Sequence, residues 1–332
     1  MMISKKKIII SYLLTAVLLF ALFLVAVNTG SLKVTPKELF DGLFVKYNKT
    51  VATIYDLRFP RIFIAMIGGA AMAVSGVLLQ AVMKNPLADP GIIGISSGAS
   101  FTAVLITAFF PALYFFTPLF AFIGGVAACL LVYSLSWRGG LSPLRIILVG
   151  VAVNAMFTGL MSAFNSGTGS NYSGAASIVN ANITMKTWDD FRTLAVYSAV
   201  GVGLVFSLLV CSKCNLLALE DKTARSLGVN VNGARLLISA IAVLLASIST
   251  AVIGPISFLG LIVPHIARLL VGSDHRRLIP YSMILGALVF LLADMIGRTI
   301  ASPYEISASV IMSVIGGPFF IILLRRSDKR NG

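Results

Sequence analysis

Charge is scarce in this sequence. Only 11% of its 332 residues are Asp, Glu, Lys or Arg, against about a quarter in a soluble domain, so most of the chain is not built to meet water. Acidic residues are scarcest, 12 against 26 Lys and Arg, which leaves a formal charge of +14. The excess does not describe a nucleic-acid binder, because the basic residues sit in short clusters between apolar runs, the pattern that encodes membrane topology. Three cysteines exclude a disulfide framework. Cys211 and Cys214 form a CxxC, but no second pair or nearby histidine completes a zinc site, and they read as small side chains at a helix end. There is no HExxH and no GxxxxGK(S/T) phosphate loop, so no zincin-type metal-hydrolase or P-loop ATPase chemistry is written in this chain. No catalytic constellation, resident cofactor or metal site is expected. No loop is long enough for a sizeable soluble domain.

Apolar length fills the space these absences leave. Hydrophobic residues make up 58% of the chain. A span needs about 20 of them, because a rise of roughly 1.5 Å per residue must cross a hydrocarbon core of roughly 30 Å. The sequence predicts an all-α polytopic membrane protein with about ten spans, at 8–28, 60–82, 91–110, 115–136, 143–165, 191–211, 235–253, 257–271, 280–299 and 306–324. The first run is too long for a signal peptide and Val25-Ala26-Val27-Asn28 is a poor cleavage site, so it reads as an uncleaved helix. The eighth span is short, follows Gly254-Pro255 and contains Pro264. A broken or re-entrant helix is expected there, since unpaired backbone groups are tolerated where they are buried in protein or face a water-filled cavity. With the N-terminus inside, the larger share of Lys and Arg falls inside, which places both termini in the cytoplasm.

The chain is organised around Arg58–Ser100, RFPRIFIAMIGGAAMAVSGVLLQAVMKNPLADPGIIGISSGAS. Gly68 and Gly76, with Gly69 and Ala73 beside them, recur at helical steps that let backbones approach closely in lipid. The run turns at Asn85-Pro86-Leu87-Ala88-Asp89-Pro90 and re-enters through a Gly/Ser-rich segment. A weak internal repeat pairs Ala73, Val74, Gly76, Pro86 and Gly94 with Ala251, Val252, Gly254, Pro264 and Gly272. The paired spans would run in opposite directions, the inverted-repeat pattern of transporters.

Few polar residues are placed to act. Asp294 is an acid inside the ninth span, and Arg298, one helical turn on, is its expected partner. Arg58 and Arg61 flank Pro60 at the outer start of the second span, and Arg298 reaches the same side. They read either as interfacial snorkelling arginines or as a socket for a carboxylate on an extracytoplasmic partner. His265 reads as a packed polar residue and Trp188 as an interfacial anchor. The inner segment 212–234 mixes charges with Leu216, Leu219, Ala224 and Leu227 at helical spacing. It is either a solvated linker or a docking surface.

Arg58–Ala99, ARSLGV at Ala224–Val229, GPISFLGLIVPHIARLLVGSDHR at Gly254–Arg276, ADMIGRTI at Ala293–Ile300 and SASVIMSVIGGPFFIILLRR at Ser307–Arg326 together resemble, in order and over essentially the whole length, the permease subunits of ABC importers for iron-siderophores, haem and cobalamin (FecCD-type). The resemblance implies ten membrane helices in a bacterial cytoplasmic membrane. It further implies a pathway between two permease subunits, the second the same or a related chain. Two separate cytoplasmic ATPase subunits would consume ATP and an extracytoplasmic binding protein would deliver cargo. It implies that Arg58, Arg61 and Arg298 receive glutamates of the binding protein. Leu219, Glu220, Ala224, Arg225, Ser226, Leu227 and Gly228 would couple to the ATPase. Asn85, Leu87 and Ser142 would belong to the cytoplasmic gate, and the fifth and tenth spans would line the pathway. The expected cargo is an iron-siderophore complex moved by alternating access, with haem or cobalamin as the alternative. A secondary transporter driven by an ion gradient is the competing class, resting on Asp294 and the broken eighth span.

Overall fold

A computed structural model describes residues 4–30, 32–91, 93–136, 143–168, 181, 183–184, 186–197, 200–302 and 304–331. The described residues form helices and connecting segments, without a strand among them. The long ones are α1 (Lys5–Asn28), α4 (Phe59–Met83), α5 (Ile95–Phe109), α6 (Thr117–Ser136), α7 (Pro143–Thr168), α12 (Val231–Ile253), α13 (Leu259–Val271), α14 (His275–Thr299) and α15 (Ala308–Asn331). Shorter pieces are α2 (Pro36–Phe44), α3 (Lys49–Leu57), α8 (Trp188–Arg192), α9 (Val200–Leu209), α10 (Cys211–Leu217) and α11 (Asp221–Ser226). Seven helical stretches are long and apolar enough to cross a membrane, and three shorter apolar helices, Ile95–Phe109, Leu259–Val271 and Ala308–Leu323, stand beside them. Together they account for the ten apolar segments read from the sequence.

The central helix is α4. It is buried along nearly its whole length and packs on α12, α13 and α14. Its glycines make that possible. A Cβ on Gly76 would stand 2.0 Å from the Gly260 carbonyl oxygen, and one on Gly69 2.5 Å from that of Gly286, so the backbones meet where side chains would otherwise hold them apart. The peripheral helices do the opposite. Ile9, Ile10, Leu13, Leu14 and Val17 on α1, and Leu148, Val151 and Leu160 on α7, project outward, as lipid-facing or subunit-facing rows do. α1 is nevertheless fixed in place. The Tyr12 hydroxyl donates to the Arg277 carbonyl at 2.7 Å, and the Thr15 and Tyr281 hydroxyls bond at 2.8 Å.

The break expected before the eighth span is present. α12 ends at Gly254 (φ 78°), residues 254–258 leave the helix, Phe258 adopts a left-handed φ of 67°, and α13 begins at Leu259. The Ser309 hydroxyl on α15 donates to the freed Pro255 carbonyl at 2.8 Å, the kind of repair that makes an unwound segment tolerable among packed helices. Three regions depart from the sequence reading. The loop 29–57 contains α2 and α3. α2 starts in a reciprocal Thr35–Glu38 capping box with Pro36 in its first turn. In the sixth span a π turn at Thr193–Tyr197 directly follows α8, and α9 begins at Val200. The segment 212–234 holds two short helices, α10 and α11, broken after Leu217.

Candidate functional site

Two charged clusters lie at opposite ends of α4. Its 25 residues put them roughly 37 Å apart at the usual helical rise.

At the first end, Phe59-Pro60-Arg61 opens α4 and Asp294 faces it from the last turns of α14. Arg61 Nη2 and Nε donate to Asp294 at 2.8 and 3.1 Å, and both side chains are almost fully buried. Arg61 Nη1 donates to the Glu305 carboxylate at 3.0 and 3.3 Å. The Thr184 hydroxyl also donates to Glu305. Burial alone would raise the Glu305 carboxyl, but the Thr184 hydroxyl and the Arg61 guanidinium outweigh it and hold it below its usual range. Arg298 lies one turn after Asp294, with Nε 3.3 Å from the carboxylate, so the pair read from the sequence exists. Asp294 nevertheless makes its shorter contact with Arg61. Arg298 Nη2 is buried and has no hydrogen-bond partner among the described residues.

Arg58 does a different job. It caps the end of α3, and its Nη1 donates to the carbonyls of Val27 and, at 2.8 Å, Leu32. Its guanidinium fills the space beside Gly30 (φ 127°), where a Cβ would meet Nη2 at 2.7 Å. Arg58 therefore clasps the turn that leaves α1, and it does not share a carboxylate with Arg61. Trp188 packs at 4.7 Å against Tyr55 in a cluster with Phe63 and Phe191, and its indole donates to the Tyr55 carbonyl at 3.2 Å.

At the second end, α4 stops at Lys84 in a left-handed conformation (φ 48°). The next residue, Asn85, turns the chain through its own side chain, which accepts the Leu87 amide at 2.9 Å. Gln80 braces this turn, donating to the Ala88 and Gly260 carbonyls at 3.1 and 3.0 Å and accepting from Arg268. Lys84 then reaches sideways. Its ammonium donates to the Leu219 carbonyl and to Asp221 at 2.9 Å, and Arg235 on α12 donates to the same Asp221 oxygen at 3.0 Å. The Lys84 hydrogen bond, helped by Arg235, holds the Asp221 carboxyl below its usual range. The turn containing Asn85 and Leu87 is thus bonded to the start of α11. Ser142 lies outside the described residues.

Within the segment 212–234, Ala224 is buried and anchors α11, whereas Leu219, Glu220, Arg225, Ser226, Leu227 and Gly228 are exposed. Leu227 is 63% exposed. α11 ends in a turn with Gly228 at φ 80° and the Val229 amide bonded to the Ala224 carbonyl at 3.1 Å, the arrangement a C-terminal glycine favours. That end presents the largely exposed apolar side chain of Leu227. His265 packs edge-on against Phe319 at 5.7 Å. Cys211 and Cys214 are both buried in α10.

The sequence reading missed Glu305, Lys84, Asp221 and Arg235 as site residues. Glu305 and Asp221 are acids in a chain with few of them, and that scarcity was the available signal.

Comparison with known proteins agrees with this architecture. A family model described as the FecCD transport family matches residues 17–326. The haem-iron transport system permease protein IsdF of Staphylococcus aureus strain Newman is 41% identical over 99% of both chains, and that of strain MSSA476 is 40% identical over the same share. A solved metal-chelate type ABC transporter in an inward-facing conformation superposes with a TM-score of 0.79 at 28% identity, covering 95% of this chain and 98% of that one. PsaBC from Streptococcus pneumoniae shares the fold alone, at 17% identity and a TM-score of 0.58.

Proposed function

Because the chain belongs to the FecCD transport family and is a multi-pass ABC importer permease of the bacterial cytoplasmic membrane, we propose that it carries an iron chelate inward, with haem as the first candidate cargo. The single observation behind haem is the near-full-length 41% identity to a haem-iron permease. An iron-siderophore complex, expected from the sequence, is the second candidate, supported by the likeness to a metal-chelate transporter. The translocated ligand undergoes no covalent change in this chain.

The geometry supports a division of labour. As an ABC permease the chain works with an ATPase and a substrate-binding protein. Under this reading the Arg61 end faces outward and both termini lie in the cytoplasm. Arg61 and Arg298 offer two guanidinium groups beside the carboxylates of Asp294 and Glu305, and Arg58 holds the adjacent turn. The unpartnered Arg298 Nη2 is a ready donor for an acidic side chain on the binding protein. The Lys84 end faces the ATPase, where Leu219, Leu227 and the neighbouring charges form the docking surface. The outward apolar rows of α7 and α15, including Val151, Val310 and Val314, suit a second permease subunit and a slippery pathway wall between the two. ATP binding would push α11, and the Lys84–Asp221 bridge would carry that push into the Asn85–Leu87 turn and α4.

The test is growth of iron-limited cells deleted for this chain. With haem as the sole iron source, growth is expected to fail and to return when the wild-type chain is restored. Unimpaired growth on haem with failure on hydroxamate or catecholate siderophores would reverse the order of the two cargoes.

A further inference from the structure

The Arg61 site already holds a carboxylate where a partner's would go. Its two acids are not equivalent. Asp294 sits on α14, is 2% exposed, and takes Nε and Nη2 of Arg61. Glu305 sits in the irregular stretch between α14 and α15, its side chain is one-third exposed (35%), and it takes only Nη1. One edge of the guanidinium is fixed by the fold, and the other is served by a residue that water and partners can reach. Arg298 stands beside them with Nη2 lacking an acceptor among the described residues.

We infer that Glu305 is an internal stand-in for the binding protein's carboxylate, and that docking is an exchange in which the incoming acidic side chain takes Arg61 Nη1 and Arg298 Nη2 while Glu305 swings free. This rests on the docking reading above.

Two physical arguments carry it. Without Glu305, Arg61 and Arg298 would share Asp294 alone, and buried cations without counter-charges are costly. The resting site therefore needs a second acid. Because docking trades one carboxylate for another, the net gain is small, so a site of high charge can still release its partner after each cycle. The exchange also has a mechanical consequence. Next along the chain, the Ile306 amide donates to the Gly297 carbonyl at 2.9 Å, Ala308 opens α15, and Ser309 bonds the unwound 254–258 segment through Pro255. Releasing Glu305 loosens the entry to α15 and the segment that precedes α13.

The experiment uses the assembled transporter in lipid nanodiscs, titrated with the haem-loaded binding protein from the same cells. Glu305→Gln removes the competing charge and is expected to tighten docking about fivefold or more, the factor that about 1 kcal/mol represents. Arg61→Gln is expected to weaken it. Glu305→Cys serves where Glu305→Gln assembles poorly, since the native cysteines are buried and the folded transporter can be modified directly. A negatively charged thiosulfonate reagent on that thiol should restore wild-type docking, and a neutral one should leave it tight. Docking unchanged or weakened by Glu305→Gln, with Arg61→Gln still weakening it, overturns the exchange alone. Wild-type docking by Arg61→Gln overturns both the exchange and the docking reading beneath it.

Discussion

Arg61→Ala is expected to cost the folded permease about 3 kcal/mol, the range in which breaking one side of a buried ion pair falls. The expectation follows from burial and geometry together. Arg61 donates to a 2% exposed Asp294 at 2.8, 3.1 and 3.2 Å, and to Glu305 at 3.0 and 3.3 Å. Among the described residues its loss would leave Asp294 with the longer 3.3 Å contact from Arg298. The thermal inactivation midpoint of the purified transporter should drop by several degrees. The double change Arg61→Gln with Asp294→Asn should be markedly less damaging than the two single changes added together, because contacting partners do not behave independently. Strict additivity would mean that the pair is a bystander. The same geometry explains why a charge-reversed Arg61→Glu makes a poor docking probe. It would place a third acid beside Asp294 and Glu305 and disturb the fold before it reported on a partner.

The second large effect is expected at the other end of α4 and should be functional rather than structural. Lys84, Asp221 and Arg235 are partly exposed, so their bridge contributes no more than about 1 kcal/mol to stability. Position gives them their importance, since Asp221 opens the segment proposed to touch the ATPase and Lys84 ends α4. Lys84→Met or Asp221→Asn should leave the assembled complex and its basal ATP hydrolysis near wild type. Stimulation of hydrolysis by the cargo-loaded binding protein should fall roughly tenfold, as when about 1.4 kcal/mol of coupling is lost. Full stimulation in both variants would remove the bridge from the coupling route. The pH dependence follows from the lowered Asp221 carboxyl. A depressed acid contributes fully above its unfolded value and loses that contribution only as pH falls through its folded value. Coupling should therefore be flat across neutral pH and decline only in acid, below the ordinary Asp value of about 4.

How far these features could be read in advance depends on the distance over which each is encoded. The apolar spans, the turn after α4, the break at Gly254-Pro255 and the Asp294–Arg298 pair all follow from local patterns, namely length, breakers and helical spacing, and the structure contains them. Arg61–Asp294 joins residues 233 positions apart and Lys84–Asp221 joins residues 137 apart. No local period announces such a partnership. Arg58 and Arg61 looked equivalent because their spacing is helical, but a helix boundary falls between them, and one caps α3 while the other points into the bundle. The helices α2 and α3 were hidden in what reads as a mixed-charge loop, although Thr35-Pro36 with Glu38 is a start signal that was present.

The central claim is that this chain is a passive conduit moved by a separate ATPase. The most direct test is uptake of iron-labelled haem into cells carrying the wild-type chain, measured with the proton gradient collapsed while ATP is maintained, and again with ATP depleted while the gradient is held. The account predicts that uptake survives the first condition and stops in the second. Uptake that stops with the gradient and continues without ATP would contradict it, and would assign the work to Asp294 and the broken helix before α13, as in an ion-coupled carrier.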